Sequence, residues 1–384
     1  LGDVYKRQHM DDAIYADESI YEYPMQQGGG NDGRPYSFGR PSSGGSKAAY
    51  PCKSYGQGRI NPAYFYGVFD PNDMRRDVSI TMTGSNGKGV EKLIPFVPNS
   101  KAEGGGLTLN KWDENRQANP WVAAQRKSGI NGPYMRMSEV YLGYAEVCAA
   151  LGDVVTGKQY LKTVRERSFP QGLANTDAFI ASFGNDLVRA IIEERGFEYA
   201  GEGDRRWTLI RSGYLPEDIK RIKDMTKAMM DGLATKGYYE FENGNIISAY
   251  IWTKLVDAKT IYGHRLTAQC PTDKVNDPVL YPGWRGQKDN WEEMGLNYGS
   301  STPATNLAIK GLFEIVSEEE AASLESQGYT KVNWGIDLVD NRDEYDKYLF
   351  WDYDYVSAPI YLWPFTPNVM AAGGFTNGYG FKQE

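Results

Sequence analysis

"IIEERGFEYAGEGDRRWTLIR", residues 191–211, crowds acids, arginines and aromatic rings into one short run. From Asp186 to Arg211 there are six acids (Asp186, Glu193, Glu194, Glu198, Glu202, Asp204) and five arginines (Arg189, Arg195, Arg205, Arg206, Arg211). The balance is nearly neutral, so the run builds no strong field for phosphate. Leu187, Val188, Ile191, Ile192 and Tyr199 recur at the helical period and predict an amphipathic helix that stops near Gly201. Trp207, Leu209 and Ile210 predict a second, short helix ending near Gly213. Arg189 with Glu193, and Glu202 with Arg206, stand four apart, the spacing at which helix-surface ions pair. The other charges are expected to point inward, where an arginine fork ties helices and a loop through a carboxylate. Two carboxylates suffice for glycoside hydrolysis, but Glu193 and Glu194 are adjacent and point about 100° apart on a helix. The run reads as scaffold. Arg195, Glu198 and Arg206 are expected to serve stability rather than binding.

The helical pattern extends in both directions. In "PYMRMSEVYLGYAEVCAALGD" (133–153), Met137, Val140, Tyr141, Tyr144, Cys148 and Leu151 follow the template of an amphipathic helix. Tyr144 and Leu151 are expected in the core, and the small Gly143 and Ala145 should admit a neighbouring helix. Gly152 stops this helix. Thr156 and Gln159 then form a T-x-x-Q capping box, Tyr160, Leu161 and Val164 continue an apolar stripe, and Pro170 ends it. Two helices within roughly 34 residues match the unit of a tetratricopeptide repeat. Downstream, "PEDIKRIKDMTKAMMDGLA" (216–234) opens with Pro216 and two acids, favourable in a helical first turn. Residues 133–232 are therefore expected to form a helical repeat core, the most stable part of the chain.

The flanks lack such periodicity. Residues 11–132 read as a loop-rich excursion in which "MQQGGGNDGRPYSFGRPSSGGSK" (25–47) is too glycine-rich for a helix, while "KGVEKLIPFVPNS" (88–100) holds a short strand. Residues 233–384 carry a hairpin signal at Asn243–Gly244. There, "LFEIVSEEEAASLESQGYTKVNW" (312–334) reads strand, helix, strand, with Ser317 and Glu320 as a second capping box. The end, "APIYLWPFTPNVMAAGGFTNGYGF" (358–381), reads as an extended, proline-broken tail. The first ten residues, "LGDVYKRQHM", resemble a non-native leader and are set aside.

Composition narrows function. A formal charge of -8 argues against nucleic acid as a partner. Two histidines, His9 and His264, and three dispersed cysteines, Cys52, Cys148 and Cys270, supply neither a histidine base, a zinc site nor a disulfide framework. No cofactor is expected and no metal ligand is singled out, while carboxylates scattered without EF-hand spacing leave calcium undecided. With 28 Tyr, 14 Phe and 9 Trp, the chain favours rings with a polar edge, which suit sugar-binding surfaces and protein interfaces alike.

"YMRMSEVYLGYAEVCAALGD", "YLKTVRERSF", "IIEERGFEYAGEGDRRWTLIRSG" and the terminal "YLWPFTP…TNGYG" resemble, in order, the signatures of SusD/RagB-type outer-membrane nutrient-binding proteins of Bacteroidota. "DESIYEYPMQ" and "VFDPNDMRRDVS" resemble further segments of that family. The family's usual ending is only loosely kept, and Gly196 stands where a larger residue is expected. The resemblance implies a mainly α fold of tetratricopeptide-like helix pairs with long irregular loops and a few short strands. It implies a non-catalytic, surface-exposed protein that captures glycans or peptides for a SusC-like TonB-dependent transporter of the outer membrane. It also implies that a signal peptide and lipid-bearing cysteine belong to an N-terminal region preceding this chain, so Cys52 is not the anchor.

In that family the loops after the "DESIYEY"-like segment help form the ligand surface. Tyr36, Phe38, Tyr50 and Tyr55 are therefore the expected stacking rings, with Asn31, Asp32 and Arg34 supplying hydroxyl contacts. Tyr281, Trp284 and Trp291 form the second candidate group. A different reading, an all-α glycoside hydrolase or lyase, would place its acids and tryptophans in "KWDENRQ" (111–117) and "DNWEEMG" (289–295). A tetratricopeptide adaptor for other proteins would need a concave groove clear of such long loops.

Overall fold

The computed structural model describes residues 18–26, 58–73, 75–85, 91–94, 96, 106–109, 111–112, 129, 131–169, 172–257, 305–343, 365–374 and 376. Strand β1 (Ser19–Tyr23) pairs antiparallel with β6 (Gly132–Arg136), and α3 (Met137–Ala150) follows β6 directly. Helix α4 (Val154–Arg165) folds back on α3 through Gly152, whose φ of +87° only glycine adopts freely. A short 3-10 turn (Glu166–Ser168) ends the pair. After α5 (Thr176–Ala181), helix α6 (Leu187–Glu198) packs on both α3 and α4, and α7 (Asp204–Ser212) and α8 (Leu215–Lys236) follow. These stacked pairs make a mainly α fold. Pro216 sits in the first turn of α8, as expected, and Gly237 with φ +76° ends it.

Three local readings of this region need correction. On α3 the buried residues are Ser138, Leu142, Ala145 and Cys148, whereas Tyr144 is 50% and Leu151 82% exposed. The helix is apolar on two faces, and the smaller side chains mark the one that packs. Truncating Tyr144 or Leu151 therefore opens no core cavity. The close helix approach falls at Ala145, as expected, but not at Gly143. A Cβ on Gly157 would stand 3.0 Å from the Ala145 carbonyl oxygen and 3.2 Å from the Ala149 nitrogen, while nothing lies near Gly143. Finally, α4 is capped by Asp153, whose carboxylate accepts from the Thr156 N–H at 3.1 Å, so Thr156 lies inside the helix. Asp153→Ala should cost about 1 kcal/mol, typical of a lost N-cap, and Gln159→Ala close to nothing. Chemical denaturation of both variants checks this, and the reverse ranking would restore the T-x-x-Q box.

The flanks contribute more than loops. Helices α1 (Pro62–Gly67) and α2 (Arg75–Ser79) and the short strands β2 (Ile80–Thr81), β3 (Thr83–Ser85), β4 (Glu91–Leu93) and β5 (Thr108–Leu109) lie in the stretch read as an excursion. Phe65, Tyr66, Phe69, Ile80 and Met82 are fully buried there and join Phe197, Met229 and Leu233 of the helical region in the largest apolar cluster. The distal segment completes it. A hairpin, β7 (Tyr238–Glu240) and β8 (Ile246–Ser248), turns through Asn243 and Gly244. Beyond it, β9 (Tyr250–Asp257) is the centre of a three-stranded antiparallel sheet between β10 (Thr305–Lys310) and β11 (Thr330–Asn333).

Strand β10 ends before Gly311 (φ +78°), so the expected strand at 312–316 is instead a bend. Ser317 caps α9 (Glu318–Ser326) by accepting from the Glu320 N–H, as its capping box predicts. Trp334 and Leu338, the latter in α10 (Gly335–Asp340), enter the same core as Tyr66. The Trp334 indole N–H donates to the Tyr66 hydroxyl at 2.9 Å, across 268 residues of sequence. The tail holds a helix, α11 (Pro367–Gly373), where extended chain is expected. Among the described residues, no helix is long and apolar enough to cross a membrane.

Candidate functional site

Helix α6 has no solvent face: Glu193, Glu194, Arg195 and Glu198 are all buried with its apolar residues. A buried carboxylate is costly unless paired and hydrogen-bonded, and each of these is met by arginines from other parts of the chain. Glu194 accepts from Arg75 at 2.6 Å and Arg165 at 2.9 Å. Glu198 accepts from Arg75 at 3.1 Å and from the guanidinium groups of Arg136 and Arg167. Glu202 accepts from Lys111 at 2.7 Å and twice from Arg136, at 2.8 and 2.9 Å. Glu193 accepts from Arg205 and Arg221, each at 2.8 Å. Glu18, just before β1, pairs with Arg136 and Arg167, both at 3.3 Å.

Electrostatics follow from this geometry. Burial alone would raise the Glu198 carboxyl, but Arg167, Arg136 and Arg75 reverse that and hold it well below the usual carboxylate range. Burial likewise opposes ionisation of Glu193 and Glu202, and their arginines bring both to about 2. Burial would lower Arg75 and Arg136, yet their carboxylates hold both well above the usual arginine value. Glu193, Glu198, Glu202, Arg75 and Arg136 therefore keep their charges at neutral pH. Glu193 and Glu194 are only 1% and 0% exposed and both are held by arginines, an arrangement that fits a structural role better than a hydrolase pair.

The expected inward-pointing ions are thus present, with two differences. Arg189 and Glu193 do approach, at 3.7 Å, but both are buried rather than on a helix surface. Glu202 turns its carboxylate to Lys111 and Arg136 rather than to Arg206. What sequence reading missed is where the cations come from. Arg75 lies in "NDMRRDVS", Arg136 in "YMRMSE", Arg165 and Arg167 in "TVRERSF", and Glu18 in "DESIYEY". The scattered motifs meet at one cluster. Lys111 and Trp112 of "KWDENRQ" are absorbed as well: Lys111 Nζ donates to the Glu198 carbonyl at 3.0 Å and the Trp112 indole to the Gly201 carbonyl at 3.1 Å. Gly196 has its own reason, because a Cβ there would stand 2.7 Å from Arg205 Nη1.

A cleft of about 1030 Å³ opens beside this cluster. Phe179 of α5, Phe183, and Tyr239 and Phe241 of the β7–β8 hairpin form its aromatic walls. Asp70, Glu217, Asp224 and Glu242 reach it alongside Arg165, Arg189 and Arg221. Among the described residues, no three His, Cys, Asp or Glu side chains converge to hold a metal ion. The expected ligand residues Asn31, Asp32, Arg34, Tyr36, Phe38, Tyr50 and Tyr55 lie outside the described residues, as do Tyr281, Trp284 and Trp291.

The profile of the SusD family matches residues 12–364, most of the chain. The chain belongs to the SusD family. The SusD-like protein P25 of Formosa agariphila is 28% identical to it over 160 residues, 41% of this chain and 26% of that protein. Among solved structures, a SusD homolog from Bacteroides thetaiotaomicron matches with 18% identity and a TM-score of 0.42, over 60% of this chain and 48% of that one. Surface glycan-binding protein A of Bacteroides thetaiotaomicron, solved in complex with laminarihexaose, matches with 18% identity and a TM-score of 0.38, over 56% of this chain and 47% of that one. This SusD-family chain therefore spans about a quarter of the length of P25 and just under half of each of these solved chains.

Proposed function

We propose that this SusD-family chain acts as a non-catalytic, cell-surface binding protein that captures glycans for a SusC-like TonB-dependent transporter of the outer membrane. Family membership over residues 12–364 carries the reading. The buried cluster supports it indirectly: the family-like segments around Glu18, Arg75, Arg136, Arg165 and Glu198 are occupied by structural ion pairs, which points to other segments for ligand capture. There, rings with polar rims stand among glycines, serines and prolines, and a ring face stacks on the C–H face of a sugar. Tyr36, Phe38, Tyr50 and Tyr55, with Asn31, Asp32 and Arg34, are the proposed contacts, and Tyr281, Trp284 and Trp291 the second group.

A glycan array identifies the ligand, and calorimetric titration of alanine variants then tests the contacts. Loss of one stacking ring should cost roughly 1–3 kcal/mol, by analogy with base stacking on aromatics, or about tenfold to a hundredfold and more in affinity. Unchanged affinity in the Tyr36, Phe38, Tyr50 and Tyr55 variants, with the fold intact, would move the site to the second group or elsewhere. Steady growth of reducing ends on incubation with polysaccharides would instead favour the hydrolase reading.

A further inference from the structure

We propose that the cleft between α5, α8 and the β7–β8 hairpin seats a basic side chain, lysine or arginine, presented by a polypeptide. Arg165 and Arg189 have side chains only 2% and 6% exposed. Arg165 donates to Glu194, and Arg189 lies 3.7 Å from Glu193. Arg221 is 30% exposed but donates to both Glu193 and Asp218. All three cations face protein carboxylates, although Arg165 Nε, Arg189 Nη1 and Arg221 Nε make no hydrogen bond among the described residues.

The acids at the rim are differently placed. The Glu217 side chain is 64% exposed, with Arg189 at 3.7 Å as its ion-pair partner. Asp224 is equally open and meets Lys220 one turn before it on α8. Glu242 is exposed at the hairpin, and no ion pair ties it down among the described residues. Asp70 is 34% exposed, and its one cation, Arg165, stands 3.8 Å away while bonded to Glu194. Burial raises the Asp70 carboxyl, opposed by the Asn72 N–H and Arg165, as expected where compensation is incomplete. The solvent side of the cleft is therefore acidic.

Its walls add the second requirement. Phe179, Phe183 and Tyr239 are half-buried; Arg165 and Arg189 already lie over Phe179 and Phe183, so among the described residues Tyr239 is the wall ring with no cation of the chain over it. A ring face beside a carboxylate suits a cation on an apolar stem: the stem packs, and the charge meets the ring and the acid together. The chain uses this arrangement internally. Arg165 lies 3.8 Å from the centroid of Phe179, and Arg189 lies 4.4 Å from that of Tyr214. A bare metal ion would need converging carboxylates, which the described residues lack. A neutral sugar gains no Coulomb energy from an acidic rim. A basic side chain uses both features, and the proposal stands independently of the glycan reading.

The test is calorimetric titration at low salt with the peptide acetyl-Ala-Arg-Ala-Arg-Ala-amide and with its analogue carrying citrulline in place of both arginines. Citrulline keeps the shape and removes the charge. The arginine peptide should bind at least about tenfold more tightly than the citrulline one. The double variant E217Q/E242Q, altered only at exposed positions, should weaken it roughly fivefold or more, measured below the lower of the two unfolding midpoints. Three results would each overturn the proposal: no binding of the arginine peptide at millimolar concentration, equal binding of the two peptides, or wild-type affinity in the double variant. Displacement of the arginine peptide by a neutral oligosaccharide would assign the cleft to sugar instead.

Discussion

Glu198→Gln should destabilise the chain by about 3–5 kcal/mol, the range for breaking a buried ion pair by removing one partner. The carboxylate accepts from Arg75, Arg136 and Arg167, three side chains drawn from three separate segments. Glutamine keeps the shape but not the charge, and its amide hydrogens would face guanidinium hydrogens. Arg136 would keep Glu18 and Glu202, and Arg75 would keep Asp73 and Glu194. The loss therefore falls on one charge inside a network that still holds together. Thermal and urea denaturation of the variant measure it. A change below about 1 kcal/mol would mean that the cluster contributes little to stability.

Acid should unfold the protein through the same groups. Glu193 and Glu202 titrate at about 2 in the folded chain, against an ordinary value of 4.5. A depressed folded pKa gives stability that is present above the unfolded value and lost as pH falls toward the folded one. Each of the two contributes on the order of 3 kcal/mol, and Glu198 acts in the same direction. The urea midpoint should hold steady from pH 7 to about pH 5 and then fall steeply toward pH 2. A midpoint unchanged at pH 3 would contradict this pairing.

The part legible in sequence was the part governed by local period. The positions of α3, α4, α6, α7 and α8, the Asn243–Gly244 hairpin and the Ser317 cap follow from residues within a turn or two of one another. The core face of α3 was legible only in part: Cys148 and Ala145 are buried as read, but the larger Tyr144 and Leu151 drew the predicted stripe away from Ser138 and Leu142. Helix α1 escaped for a different reason. Six residues carry too little periodicity to stand out, and Phe65 and Tyr66 are buried by chain more than a hundred residues away. The charged cluster was legible by half. Its acids are local, but Arg75 lies 119 residues from Glu194 and Arg136 lies 62 from Glu198, separations that no spacing rule reports.

We assign the charges of residues 191–211 a scaffold role, with the ligand bound elsewhere. That role is tested most directly by titrating the glycan identified on an array into Glu198→Gln and into the unaltered chain. Both are held well below the lower of the two unfolding midpoints. A scaffold role predicts affinities within about twofold of each other, although the variant is several kcal/mol less stable. A loss of affinity beyond about tenfold in the folded variant would place Glu198 in the binding site and contradict the scaffold assignment.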